Sequence, residues 1–181
     1  NNIPTPGHGD IQSRRGNTFF SSGTYFTHSG VSNYNSLQLT AETQSWHGLF
    51  FLGSYTWGKA MDNQDNDNIS SSPVQDPANL KSEYGIASYN LAQRLTLAST
   101  YKFPFFANAN RLLKSTLGGW AMSNIITLQT GPVFTPTIAT DPANTGTPMR
   151  PNRIGSGKLS HPTINNWFNA AAFTVPQPYT Y

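Results

Sequence analysis

Between residues 33 and 58 the chain alternates apolar and polar side chains with a period of two. In NYNSLQLTAETQ (33–44), Leu37, Leu39 and Ala41 fall on one side and Ser36, Gln38, Thr40 and Glu42 on the other, the pattern of a β-strand whose two faces meet different surroundings. After SWHG (45–48) the alternation resumes with Leu49, Phe51, Gly53, Tyr55 and Trp57 in phase, against Ser54, Thr56 and Gly58. Two such runs joined by a short turn predict a hairpin. Trp46 has the wrong parity to share the face of Trp57 unless a bulge intervenes.

Two further runs follow. QRLTLASTYKF (93–103) sets Leu95, Leu97, Ser99, Tyr101 and Phe103 against Arg94, Thr96, Ala98, Thr100 and Lys102. WAMSNIITLQT (120–130) sets Trp120, Met122, Ile126 and Leu128 against Ala121, Ser123, Thr127 and Gln129, with Asn124 and Ile125 breaking the pattern locally. Weaker strand signals lie at 18–28, 133–138 and 171–175. Residues 60–91 carry no sustained period and accumulate Asp, Asn, Ser, Pro and Gly, which predicts a long exposed loop with a short helical turn near NLKSEYG. Residues 131–181 read as a Pro- and Asn-rich loop region. The chain is thus expected to be a single β-rich segment, 1–181, of all-β class: an antiparallel sheet with long loops.

Composition agrees. Charged residues make up 10% of the 181, aromatics 13%, and 15 Gly with 13 Pro interrupt any long helix. The net charge of +3 comes from basic residues scattered singly, apart from Arg14–Arg15, so no basic stripe tracks a nucleic-acid backbone. There are no cysteines, which removes disulfides and thiolate metal sites. No apolar run reaches the ~18 residues of a membrane helix, but membrane β-strands alternate and leave only a weak hydropathy signal. Predicted strands of about eleven to thirteen residues exceed the common five or six. Strand 49–57 covers roughly 26–30 Å, close to an apolar membrane thickness once tilted by ~45°. Tyr55, Trp57, Tyr101 and Trp120 then fall where interfacial aromatics belong. A soluble β-sandwich, with the same alternation facing a protein core, fits the pattern equally well.

Seven blocks separate these alternatives. NYNSLQ (33–38), SYTWGKAMD (54–62), QDPANLKSEYG (75–85), QRLTLASTYKFPF (93–105), LGGWAMS (117–123), LQTGPVF (128–134) and WFNAAAF (167–173) resemble, in order, the C-terminal β-barrel region of TonB-dependent outer-membrane receptors, particularly the Oar-like branch of acidobacteria. Asn90 stands where that family commonly has Asp. The resemblance implies part of a large barrel in the bacterial outer membrane, taking up a nutrient, with TonB a partner only of the full-length receptor. No plug domain or TonB box is seen. A barrel of about 22 strands at ~9–11 residues each needs roughly 200–240 strand residues, so the chain is expected to be a fragment too short to close a full barrel alone. The rival expectation is an extracellular structural protein whose copies join through open sheet edges into fibres or tubes.

Candidate chemistry is sparse. DNQDNDN (62–68) offers Asp62, Asp65 and Asp67 as oxygen ligands, but counting from Asn63 the sixth position is Asn68 instead of Gly and the twelfth is Val74 instead of Glu. These carboxylates predict a solvated loop, with a weak calcium site as the minor alternative and no other cofactor. The histidines at 8, 28, 47 and 161 share no metal-ligand spacing, and no catalytic motif occurs, so no enzyme activity is predicted. Glu42 and Glu83 are the only glutamates and neither has an evident partner. Arg94 and Lys102 share one strand face, suited to solvated polar facing or to an anion. The sequence points to no particular ligand-binding residues; lipid or other copies of the chain are the expected partners.

Overall fold

Period-two alternation becomes four long strands. A computed structural model describes residues 2–21, 28–64, 74–106, 108 and 110–181. Its strands are β1 (Ser32–Trp46), β2 (Leu49–Asp62), β3 (Gly85–Ile86), β4 (Gln93–Lys102), β5 (Ala121–Gln129), β6 (Asn152–Arg153) and β7 (Phe173–Thr174), with one short helix, α1 (Arg111–Leu117). Two compact units emerge: residues 1–32, 62–88 and 134–181 form a loop unit, and residues 33–61 and 89–133 form a sheet unit.

The sheet unit runs in the order β1-β2-β4-β5. His47 and Gly48, both at positive φ (51° and 84°), make the two-residue turn between β1 and β2, the type I′ geometry that matches strand twist. A Cβ on Gly48 would lie 2.9 Å from the Lys102 carbonyl oxygen, so glycine serves both the turn and its close approach to β4. β2 and β4 pair antiparallel from Leu49↔Tyr101 to Trp57↔Gln93. β4 and β5 pair antiparallel from Arg94↔Gln129 to Lys102↔Ala121. Thr130 extends that ladder, its N–H donating to the Gln93 carbonyl at 3.0 Å.

This register sorts side chains by face. Leu49, Phe51, Tyr55 and Trp57 of β2 share a face with Leu95, Leu97 and Tyr101 of β4 and Met122, Ile126 and Leu128 of β5. The opposite face carries Ser54 and Thr56, Arg94, Thr96 and Thr100, and Ser123, Thr127 and Gln129. A Cβ built on Gly58 would meet Ser36 Cβ at 3.3 Å, placing Ser36 on the polar face and therefore Leu37, Leu39 and Ala41 on the apolar one. The tight turn nevertheless sets Trp46 opposite Leu49, on the apolar face. Those parities agree only if β1 holds one extra residue between Ala41 and Trp46, a bulge of the kind Trp46 would need to share the face of Trp57. Gly53, on the apolar face, leaves room for the Phe51 ring, whose Cζ would lie 2.9 Å from an added Cβ.

Sequence and structure part in three places. β2 continues to Asp62, because Ala60 is held in line by the Asn90 side chain, so the loop begins later than residue 60. The 103–120 connection contains α1, started by Asn110, whose Oδ1 accepts from the Leu113 N–H at 3.0 Å. Residues 131–181, read as a Pro- and Asn-rich loop region with no burial assigned, bury Ala143, Thr145, Thr147, Met149 and Ala172 within the loop unit. The turn near NLKSEYG is a 3-10 helix, Leu80–Glu83. Of the weak strand signals, 171–175 contains β7, 133–138 contributes a bridge at Ile138, and 22–27 lies outside the described residues.

Asn90 is 6% exposed. Its Oδ1 accepts from the buried Ala60 N–H at 2.7 Å. Asn90→Ala leaves that donor unsatisfied and is expected to cost about 1–3 kcal/mol, read as a lowered urea midpoint for protein reconstituted in lipid vesicles. An unchanged midpoint would show the bond to be dispensable.

Candidate functional site

The buried hydrophobic residues described are Ala60, Ala87, Ala143, Met149 and Ala172: four alanines and a methionine. A soluble sandwich of this length would bury Leu, Ile and Phe between its sheets. Here Leu39 is 55% exposed, Trp57 58% and Leu128 59%, all on the apolar face. That face needs an apolar partner; withdrawing the exposed half of each large side chain from water is worth ~1 kcal/mol or more.

Aromatics stand at both ends of it. Tyr55 and Trp57 lie toward the end where β2 leaves for residues 63–92. Tyr101 and Trp120 lie toward the turn end, where Phe103 extends the row: its N–H donates to the Trp120 carbonyl at 2.9 Å and its ring packs edge-on to Tyr101 at 5.3 Å. Phe105 stacks on Phe103 at 5.5 Å. Ten residue steps separate the Gln93 row, opposite Trp57, from Phe103; at ~3.4 Å per residue and a tilt of ~40° that is roughly 26 Å, the height of the apolar band on outer-membrane barrels. The two-residue turn and the longest connection, between β2 and β4, lie at opposite strand ends, as in such barrels, although the turn end also carries the 103–120 connection with α1.

The sorting has exceptions: Ser99 and Asn124 lie on the apolar face, and exposed Phe50, opposite Thr100, and the row Leu52, Ala98 and Ile125, directly opposed across three strands, lie on the polar one. Ile125, which broke the expected alternation, is 78% exposed there. Arg94 lies opposite Thr56 and Gln129, Lys102 opposite Ala121, eight residues apart along β4.

Of the calcium candidates, Asp62 is buried at the end of β2, while Asp65 and Asp67 lie outside the described residues. Among the described residues no three His, Cys, Asp or Glu side chains converge. His8 packs on the Tyr179 ring at 3.6 Å and His47 sits in the β1–β2 turn.

The loop unit is tied by polar contacts between distant segments. Arg14 donates to the Thr5 carbonyl at 2.6 Å and to the Asn144 carbonyl; Asn144 Nδ2 donates to the Gly7 and Gly9 carbonyls at 2.9 and 2.8 Å. Arg15 donates to the Asn2 carbonyl at 2.8 Å, so the one basic doublet is spent on backbone oxygens. Glu83, without a partner in the sequence reading, receives both amino groups of Arg150, at 2.5 and 3.0 Å. Its Oε1 also accepts the Gln75 N–H at 3.1 Å, and Gln75 Oε1 accepts the Arg150 N–H at 3.1 Å.

Beside this triangle lies an open cavity of about 330 Å³ lined by Asp76, Asn79, Ser82, Arg150, Asn152 and Tyr181, with Gln75 and Pro151 completing it. Burial, then the Asp76 carboxylate and the Asp141 carboxylate, raise the Tyr181 hydroxyl above its ordinary value of 10.0, so it remains a proton donor at neutral pH. Gln75, Asp76, Asn79, Ser82 and Glu83 lie in the QDPANLKSEYG block, but nothing in the sequence joined that block to Arg150, Asn152 or Tyr181, which lie on distant aperiodic segments.

Open antiparallel strands, an uncovered apolar face rimmed by aromatics and a polar reverse face describe a membrane barrel wall. Residues 1–181 match the family described as outer membrane beta barrel domain. The chain belongs to that family. Its place is accordingly the bacterial outer membrane, and the sandwich alternative falls away. Comparison with curated proteins and with solved structures gives no match.

The Glu83 side chain is 8% exposed and that of Arg150 34%. Arg150→Met strands the carboxylate and is expected to loosen the loop unit by about 1–3 kcal/mol, seen as new protease cuts within residues 75–85 or 145–155. Wild-type protection would show that the pair does not hold these segments.

Proposed function

We propose that this chain supplies strands and loops to a TonB-dependent outer-membrane receptor for nutrient uptake. The observation that carries the reading is the ordered set of seven receptor-like blocks on a barrel-family chain, supported by the two-faced sheet. In this reading Leu37, Leu39, Phe51, Leu97, Ile126 and Leu128 face lipid. Tyr55 and Trp57 belong to one interfacial girdle, Tyr101 and Trp120 to the other. Gln38, Glu42, Thr96 and Thr127 line a wet lumen, with Arg94 and Lys102 adding positive charge. The long connection between β2 and β4 lies outside the cell, and the His47–Gly48 turn lies in the periplasm together with the 103–120 connection. The acidic run after Asp62 is then a solvated outer loop that needs no cofactor.

The absence of cysteine makes the face assignment directly testable. Single cysteines at Leu39, Leu97 and Ile126, in the native protein in liposomes, are expected to resist a water-soluble maleimide while a fluorophore placed there is quenched by brominated lipid. Cysteines at Gln38, Thr96 and Thr127 are expected to do the reverse; equal labelling on both faces would defeat the assignment.

The receptor role has its own test. Periplasmic TonB domain is expected to crosslink to the native protein in its own outer membrane. No crosslink, with uptake undiminished in cells lacking TonB, would remove the role. Detergent-free fibres of the native protein would favour edge-to-edge assembly instead.

A further inference from the structure

We infer that the cavity of the loop unit binds a neutral, hydroxyl-rich ligand the size of one or two sugar rings. The argument starts from charge. Both amino groups of Arg150 are engaged by Glu83, so the cation on the wall is neutralised where it stands. The remaining charge in the lining is the Asp76 carboxylate, one oxygen of which accepts the Ala78 N–H at 2.9 Å, and the Asp141 carboxylate also acts on the Tyr181 hydroxyl. An anionic ligand therefore finds no free cation and two repelling carboxylates.

The uncommitted groups define what fits. Among the described residues, Asp76 Oδ2, the side-chain amides of Asn79 and Asn152 and the Tyr181 hydroxyl make no hydrogen bond with one another or with the rest of the unit. An apolar ligand would desolvate these polar groups without return. A simple amine would satisfy the carboxylate and leave the amides idle. Adjacent hydroxyls use all of them: the carboxylate oxygen accepts, each amide donates and accepts, and the phenol donates. Pro151 and the Tyr181 ring give apolar surface for the C–H side of a sugar.

The walls are set before a ligand arrives. Ser82 Oγ donates to the Asn79 carbonyl at 2.7 Å, the Asn79 N–H donates to the Asp76 carbonyl at 3.0 Å, and the Gln75–Glu83–Arg150 triangle joins residues 75–83 to Arg150. At about 330 Å³ the space lies at the lower end of the ~300–1,000 Å³ typical of ligand pockets. This inference rests on the receptor reading only in taking the loop unit to meet external solutes.

The test is calorimetric titration of the native protein in lauryldimethylamine oxide micelles, which carry no sugar headgroup. The probes are maltose, cellobiose and N,N′-diacetylchitobiose, with the corresponding long polysaccharides, and with glucuronic acid and glucosamine as charged controls. At least one neutral disaccharide is expected to bind, at least tenfold more tightly than either charged control. Asp76→Asn and Asn152→Ala, each checked for an unchanged circular dichroism spectrum and protease pattern, are expected to weaken it tenfold or more. Glu83→Gln frees the Arg150 guanidinium and is expected to admit glucuronic acid; Arg150→Met in the same background should remove that gain. Binding of a disaccharide but not of its polymer marks a free sugar as the ligand, equal affinity for both marks a glycan end, and binding of polymer alone overturns the inferred size of the site. Failure of every neutral probe, or binding indifferent to Asp76→Asn and Asn152→Ala, overturns the inference. Binding without TonB-dependent uptake leaves the site standing and removes the receptor role; TonB-dependent uptake without binding does the opposite.

Discussion

Within a bilayer a strand can satisfy its backbone polar groups only through its neighbours, because no water is present to take the remainder. Here the ladder fixes nine residue pairs between β2 and β4 and nine between β4 and β5. Every feature of the sheet follows from that register. A slip of one residue would turn Leu95, Leu97 and Tyr101 to the polar side and bring Arg94 and Lys102 to the apolar one. Gly53 and Gly58 suit the same register, each leaving room for a neighbouring side chain, Phe51 and Tyr34 respectively.

The strands and their faces were legible in the sequence because period two is a local signal: Leu37 and Leu39, or Leu95 and Leu97, declare their side within four residues. The bulge in β1 was not read from the sequence, where the parity of Trp46 against Trp57 only left room for one. What could not be read was the loop unit. Arg14 meets Asn144 130 residues away, and Arg150 meets Glu83 67 residues away, through hydrogen bonds that leave no period in the chain. Composition suggested loop there, and the backbone is indeed irregular. The loop reading carried no statement of burial, and Thr145 and Met149 are almost wholly buried. Helix α1 was hidden by the Pro, Phe and Asn residues before it, although Asn110 is a good helix starter.

Two kinds of cohesion therefore coexist in one chain. The sheet unit holds few buried side chains and relies on backbone hydrogen bonds and on an apolar partner for its outer surface. The loop unit relies on arginine, asparagine and glutamate side chains turned inward onto carbonyls and onto one another. The second arrangement consumes the charges a loop would otherwise present. Arg14, Arg15 and Arg150 are all engaged within the unit, which leaves one carboxylate with amides and hydroxyls as the chemistry of its cavity.

Asn90 has a meaning of another kind. A carboxylate in its place would also accept the Ala60 N–H, but a buried carboxylate takes up a proton as the medium acidifies, and the junction between β2 and the approach to β4 would respond. An amide has no such proton to gain. A wall standing in the outer membrane meets whatever acidity the surroundings impose, without the buffering the cell gives its interior. With Asn90 that join is indifferent to the weather outside.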